Sequence, residues 1–460
     1  MRVHILGVCG TFMGGIAAIA KEAGHDVSGA DRNVYPPMST QLAALGVRLV
    51  EGYEAPIDAG VDSVVVGNAL SRGKPVVEAL LDSGRPYVSG PQWLAEHVLR
   101  DKWVLAVAGT HGKTTTTSML AWILEYAGLA PGFLVGGVPG NFGISARLGR
   151  SRYFVVEADE YDTAFFDKRA KFVHYRPRTL IINNIEYDHA DIYPSVDSII
   201  WQFHQLLRTV PSNGLIVANA QDENIDRLLA RGVWTPLARF SARDSGARWF
   251  ARYDSIGAES RFSVFEEGAA RGCGRWTQLG DHNLENALAA IAAAGHAGVA
   301  PDVALAALAK FKGVKRRLEL RGTFGGIVVY EDFAHHPTAI ATTLAGLRSR
   351  APAQRIVAVM EPRSNTMRMG VHRDTLAASL AGAERVFVLA AADLGWDPSA
   401  TLAALGERLV VATDVQALLA RLLDELKPGD QVLLMSNASF QGLPALLERA
   451  LASRVAATSA

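Results

Sequence analysis

Along the chain, short runs of consecutive apolar residues alternate with longer stretches whose apolar positions recur every three or four residues. The runs predict strands at Val3–Leu6, Ser63–Val66, Val104–Ala108, Tyr153–Val156, Thr179–Ile182, Leu215–Val217, Ile327–Tyr330, Ile356–Met360, Val386–Leu389 and Val432–Met435. Periodic segments such as Thr114–Tyr126 and Thr338–Leu347 predict helices behind them. Strand–helix alternation of this kind implies parallel sheets with helices on both faces. One sheet holding all these strands would be too wide, so the chain is divided. The basic-polar stretch Val98–Lys102 and the stretch Gly313–Arg317 are the expected boundaries. They give domains 1–99, 100–316 and 317–460. The Ala-rich stretch from Ala287 to Ala300, broken by Gly295-His296, predicts a buried helix hairpin. The polar segment from Ala242 to Gly274 predicts peripheral strands or loops.

Composition narrows the class. With 460 residues, 49% hydrophobic and 20% charged, the chain is a folded multi-domain protein. Lys+Arg and Asp+Glu are both 46, which argues against a nucleic-acid partner. Two cysteines, Cys9 and Cys273, make no disulfide framework and fit a reducing cytosol. No apolar run is long enough to span a bilayer, and the N-terminus has no signal-peptide pattern.

Chemistry concentrates where apolar runs end. Val104–Ala108 leads into Gly109-Thr110-His111-Gly112-Lys113-Thr114-Thr115, a glycine turn opening a helix. Its backbone N–H groups and the helix N-terminus suit phosphate oxygens. Lys113 can reach terminal phosphates, and the Thr114 hydroxyl can ligate magnesium. Val107 stands where the usual loop has its first glycine, so this loop is shortened. Glu157-Ala158-Asp159-Glu160 and Asn184-Ile185-Glu186-Tyr187-Asp188-His189 follow the next two strands. Sites in parallel sheets gather at such ends, so Glu157 and His189 are expected beside the loop as metal ligands. Gly7-Val8-Cys9-Gly10-Thr11-Phe12-Met13-Gly14-Gly15, with Asp31 closing the next strand, is a second glycine turn, predicted to open a helix over Ile16–Ala23. It fits a redox dinucleotide, a UDP-sugar or tight packing alone. His282-Asn283-Leu284-Glu285-Asn286 opens the Ala-rich helix, where these side chains serve as caps or line a site. Arg316-Arg317 is either a solvated hinge or a charge clamp. Polar clusters also follow two C-terminal strands, at Glu331–Thr338 and Glu361–Met367. A GTPase would carry an Asn-Lys-x-Asp motif, which is missing. A dehydrogenase would not need Gly112-Lys113-Thr114.

Taken in order, these motifs resemble those of the Mur ligase family over essentially the whole chain. Asn33–Thr40, Ser89–Leu94, Phe165–Arg169 and Glu361–Met367 resemble most its peptide-adding muramate ligases; the L-alanine-adding branch is the alternative. The family's Gly-rich C-terminal strand end reads here Ser436-Asn437-Ala438-Ser439-Phe440-Gln441-Gly442. The resemblance implies three α/β domains: a Rossmann-like N-terminal domain, a central P-loop ATPase-like domain and a Rossmann-like C-terminal domain. It implies an ATP- and Mg2+-dependent cytoplasmic ligase of peptidoglycan recycling. Such an enzyme joins L-alanyl-γ-D-glutamyl-meso-diaminopimelate to the lactyl carboxylate of UDP-N-acetylmuramate through an acyl phosphate. It also implies residue roles. Gly10, Met13, Gly14 and Asp31 would hold the UDP-sugar. Gly109, Thr110, His111, Gly112, Lys113, Thr114 and Thr115 would hold ATP phosphates, with Arg317 at the γ-phosphate. Asn283 and Asn286 would approach adenine, and Asp332 the ribose, with His335 nearby. Thr114, Glu157 and His189 would bind magnesium. Arg363, Ser364 and Asn365 would face the peptide.

Overall fold

The computed structural model describes residues 1–34 and 38–459, so Tyr35, Pro36 and Pro37 of the Asn33–Thr40 stretch lie outside the described residues. The strands group into three large sheets, giving a three-domain α/β fold. The first sheet is wholly parallel. Its spatial order is Arg48–Glu51, Asp26–Asp31, Arg2–Leu6, Ser63–Val66, Tyr87–Ser89, the open arrangement of a Rossmann-like unit. Val64, Val65 and Val66 are wholly buried, as a parallel strand covered on both faces requires.

The central sheet has ten strands. Leu215–Asn219, Thr179–Ile182, Trp103–Ala108 and Tyr153–Ala158 lie side by side and parallel at its middle. The polar 242–274 segment becomes antiparallel strands Trp249–Ser255, Ser260–Glu266 and Ala269–Trp276 that extend one end of this sheet. The expected helix hairpin is Asp281–His296 followed by Pro301–Leu308. Gly295-His296 does not break the first helix but ends it. Helix Lys113–Tyr126 packs on helix Asp281–His296 through Thr and Ala surfaces, which permit close approach. The hydroxyl of Thr116 donates to Asn286 Oδ1 at 3.0 Å across that contact.

A small hairpin, Asp162–Ala164 with Asp167–Ala170, leaves the central sheet toward the first domain. Phe166 at its tip meets Tyr87 edge-on, with ring centroids 5.0 Å apart.

The third sheet has six strands in the order Glu319–Phe324, Ile327–Asp332, Gln431–Met435, Ile356–Met360, Arg385–Leu389, Leu409–Ala412. Only Glu319–Phe324 runs antiparallel. The end of Gln431–Met435 is followed by three left-handed residues, Phe440, Gln441 and Gly442. The Phe440 ring is buried in the apolar cluster between that sheet and its helices.

Candidate active site

The glycine turn after Trp103–Ala108 closes on itself through two left-handed glycines, Gly109 at φ 139° and Gly112 at φ 77°. Asn184 fixes it from the neighbouring strand end: its Oδ1 accepts from His111 N at 2.7 Å and its carbonyl from Thr110 N at 3.1 Å. This aligns Lys113 and Thr114 as the first residues of their helix, facing a cavity of about 480 Å³ between the central and C-terminal sheets.

Lys113 Nζ lies 2.6 Å from Glu160 Oε2 and 3.8 Å from Asp159 Oδ1. Burial disfavours its charge, but these two carboxylates outweigh that and hold the ammonium above its ordinary pKa. Thr114 Oγ1 donates to Glu157 Oε1 at 3.0 Å, and Glu157 Oε2 accepts from Gly136 N at 2.6 Å. Burial pushes the Glu157 carboxyl up despite these donors. Arg317 Nη2 reaches Thr114 Oγ1 at 3.1 Å from the other side of the cavity. Arg316 turns away, to Glu331 and to the carbonyls of Ser436 and Ala438. Of the two arginines, then, Arg317 is the one that faces the cavity.

His189 has φ 55°, and its Nε2 lies 3.2 Å from Glu160 Oε1. Burial works against its protonation, but the Glu160 bond and the charges of Asp188 and Asp159 push its pKa up to about 9. The oxygens of Thr114 and Glu157 suit magnesium. His189 instead groups with Asp159 and Glu160, as an imidazolium that must lose its proton before ligating anything.

Three further acids join the central domain to the C-terminal domain. Glu186 Oε2 accepts from Thr338 Oγ1 at 2.7 Å and lies 3.3 Å from His111 Nε2 and 3.4 Å from His336 Nδ1. Burial would raise its pKa, but the hydrogen bond from His111 and its other partners hold it at about 2. Asp188 Oδ1 accepts from Thr366 Oγ1 at 2.7 Å, and Asn365 Nδ2 donates to Asp191 Oδ2 at 2.8 Å. Sequence reasoning passed over Asp159, Glu160, Glu186 and Asp188 although all lie in the motifs it singled out. It chose the first acid after the strand and the final histidine.

The remaining expected residues divide into two groups. Thr110, His111, Gly112, Thr115, Asn283, Asn286, Asp332 and His335 line the same cavity as Lys113, Thr114, Glu157, His189 and Arg317. Gly109 lies behind it, against Asn183 and Asn184. Both Asp332 oxygens accept backbone N–H groups, from Leu318 at 2.6 Å and Ala334 at 2.7 Å, so this carboxylate ties down the linker. Gly10, Met13, Gly14, Asp31, Arg363, Ser364 and Asn365 are not among the cavity's lining.

In the first domain the helix starts at Thr11, earlier than the expected Ile16. Gly14 and Gly15 are therefore packing glycines: a Cβ would come within 2.5 Å of Met38 and 2.3 Å of Leu134. Met13 is buried, and Gly10 is the helix N-cap. Asp31 Oδ2 accepts from Cys9 N at 2.8 Å and so shapes the turn. In the third domain Ser364 caps the short helix Asn365–Arg368, and Arg363 Nη1 lies 3.1 Å from Asp393 Oδ1.

Comparison with known proteins gives this arrangement its class. Family models match consecutively: the Mur ligase family catalytic domain at residues 2–102, the Mur ligase middle domain at 107–294, and the Mur ligase glutamate ligase domain at 316–438. The chain belongs to the Mur ligase family and is an ATP-dependent ligase. It is 50% identical to the UDP-N-acetylmuramate–L-alanyl-γ-D-glutamyl-meso-2,6-diaminoheptandioate ligase of Escherichia coli K12, over 99% of this chain and 100% of that one. A crystal structure of a murein peptide ligase from Psychrobacter arcticus superposes with a TM-score of 0.76, at 45% identity, covering 98% of this chain and 99% of the other. A UDP-N-acetylmuramate–L-alanine ligase of Acidithiobacillus ferrooxidans is 36% identical, over 94% of this chain and 91% of its own. Among the described residues no helix is long and apolar enough to cross a membrane.

Proposed function

We propose that the chain joins the tripeptide L-alanyl-γ-D-glutamyl-meso-diaminopimelate to the lactyl carboxylate of UDP-N-acetylmuramate, in peptidoglycan recycling. The observation that carries this is the 50% identity, end to end, to a ligase named for that reaction. The strand-end constellation of Lys113, Thr114, Glu157 and Arg317 supports the ATP-dependent half of the chemistry.

The carboxylate is a poor electrophile, so its oxygen first takes the γ-phosphoryl group of ATP, releasing ADP. Lys113 and Arg317, from opposite walls, offset the repulsion between the anionic oxygen and the anionic phosphate. The peptide amine, having lost a proton, then attacks the carbonyl, and phosphate leaves from the tetrahedral intermediate. Thr114 and Glu157 would hold magnesium, joined by His189 once deprotonated; the ion neutralises phosphate charge. In this reading the loop from Gly109 to Thr115 binds the phosphates. Asn283 and Asn286 lie toward adenine, and Asp332 and His335 toward the ribose. Gly10, Met13, Gly14 and Asp31 line the UDP-sugar side, with contacts mainly from backbone. Arg363, Ser364 and Asn365 border the peptide. The domains divide at 1–99, 100–316 and 317–460. ATP and UDP-sugars are cytosolic, so we assign the enzyme there.

The test is substrate choice. Purified protein with ATP, magnesium and UDP-N-acetylmuramate should release phosphate far faster with the tripeptide than with L-alanine. Faster turnover with L-alanine would favour the alanine-adding reading. No ADP formation with either would remove the ligase assignment.

A further inference from the structure

Lys171 has no part in the scheme above, yet it is a buried lysine between two domains. It follows the hairpin Asp162–Ala164/Asp167–Ala170 and is only 8% exposed. Its ammonium lies 2.9 Å from Asp159 Oδ2. It also lies 5.5 Å from the ring centroids of Phe12 and Tyr161. Phe12 belongs to the first domain, where it opens the helix after the glycine turn at the carboxyl end of the parallel sheet. Asp159 belongs to the cavity, and its other oxygen faces Lys113 at 3.8 Å. The sequence Phe12, Lys171, Asp159, Lys113 thus runs from the nucleotide-sugar turn to the phosphate loop. One carboxylate is shared by two buried ammonium groups, and together they hold it well below the usual carboxylate range.

A ligase of this kind must bring an anionic carboxylate from the first domain to a phosphate in the second. That path needs a cation at the junction, and a buried charge is kept only where an anion meets it. We infer that Lys171 binds the acceptor carboxylate of the nucleotide-sugar and aims it at the phosphate loop. This rests on the function proposed above. An ammonium has three donors, and Asp159 takes one. With Asp159 also drawn to Lys113, Lys171 can turn toward the incoming carboxylate without leaving a bare charge behind. The hairpin that leads into it leans on Tyr87 through Phe166, so its position follows the first domain.

The test uses two ligands that differ at the group in question. UDP-N-acetylglucosamine lacks the lactyl carboxylate of UDP-N-acetylmuramate. Titration calorimetry on the full-length wild type should show a preference for the muramate. Lys171→Met should weaken muramate binding about tenfold or more, the loss of one charge-assisted bond. It should leave UDP-N-acetylglucosamine affinity within about twofold, which also shows that the variant is folded. Lys171→Arg, which keeps the charge, should recover part of the preference. If Lys171→Met weakens both ligands equally, the lysine is only a pin between domains and the inference fails. It fails too if the muramate preference survives intact. A wild type that binds neither ligand overturns the proposed function itself.

Discussion

At Lys113 the structure changes what a substitution should do. Under the function proposed above the side chain is a phosphate ligand, and in the structure it is the counter-ion of Glu160, which is 1% exposed. Truncating it removes a contact expected at the transition state, a loss on the order of 10²–10³ in rate. It also strands a buried carboxylate with only His189 opposite. Lys113→Met should therefore lose activity and thermal stability together. Adding Glu160→Gln should restore the melting temperature while leaving the activity lost. A melting temperature unmoved by Lys113→Met would mean that the ion pair contributes nothing. The sequence located Lys113 because Gly-Lys-Thr after an apolar strand has one dominant use. Glu160 was invisible as its partner, because the four residues after the run Tyr153–Val156 offer three acids. Only the loop's path decides which carboxylate turns inward.

Elements were easier to read than their ends. Apolar runs gave Ser63–Val66, Thr179–Ile182 and Ile356–Met360 to the residue, since strands buried on both faces carry no polar interruption. Arg48–Glu51, charged at both ends, carries too little pattern to detect, whereas Leu409–Ala412 is an apolar run that was not among the expected strands. The first helix was begun too late because Gly14-Gly15 looks like a turn; the two glycines are instead small surfaces against Met38 and Leu134. Glycine has the opposite meaning at Gly112, where φ is 77° and a Cβ would come within 2.5 Å of Asn286 Oδ1. Gly112→Ala should cost about 1–2 kcal/mol of backbone strain. Because the displaced side chains, Asn286 and Asn183, brace the turn proposed to bind the phosphates, it should also lower ATP affinity at least tenfold. Gly143→Ala is the control: φ is 72° and nothing lies within 4 Å, so it should share the strain and spare the affinity. Equal ATP affinity in both variants would contradict the tight fit at Gly112.

Over the whole molecule, buried histidines set the pH response. Burial, helped by Arg48, lowers His4 to about 4. Burial alone lowers His282 to about 4, and burial with the nearby His111 and His372 lowers His336 to about 3. Unfolded, each takes a proton near pH 6.5. Between that value and about 4 the unfolded chain binds protons the native state refuses, so stability falls as pH falls. At pH 5 each imidazole contributes a loss of about 2 kcal/mol. His189 acts in the other direction. Its pKa is raised to about 9, so its contribution is complete below 6.5 and is lost as pH climbs through 9. Urea midpoints should thus peak near neutrality and fall on both sides. A midpoint unchanged between pH 7 and 5 would mean that these histidines are not buried neutral.

The cavity between the second and third sheets carries an electrical consequence. Its walls hold Glu157, Asp159, Glu186, Asp188, Asp222, Glu285 and Asp332 against Lys113, Arg243, Arg317 and the charged His189. The excess is negative, and burial heads the causes that push Glu157, Asp222, Glu285 and Asp332 upward. A triphosphate is itself strongly anionic, so a naked nucleotide meets a repelling vestibule with few unclaimed cations. Entry becomes favourable only when positive charge arrives with the guest. Under the function proposed above, the protein should select a salt of its nucleotide, and metal dependence is expected from the potential of the cavity walls before any bond is broken.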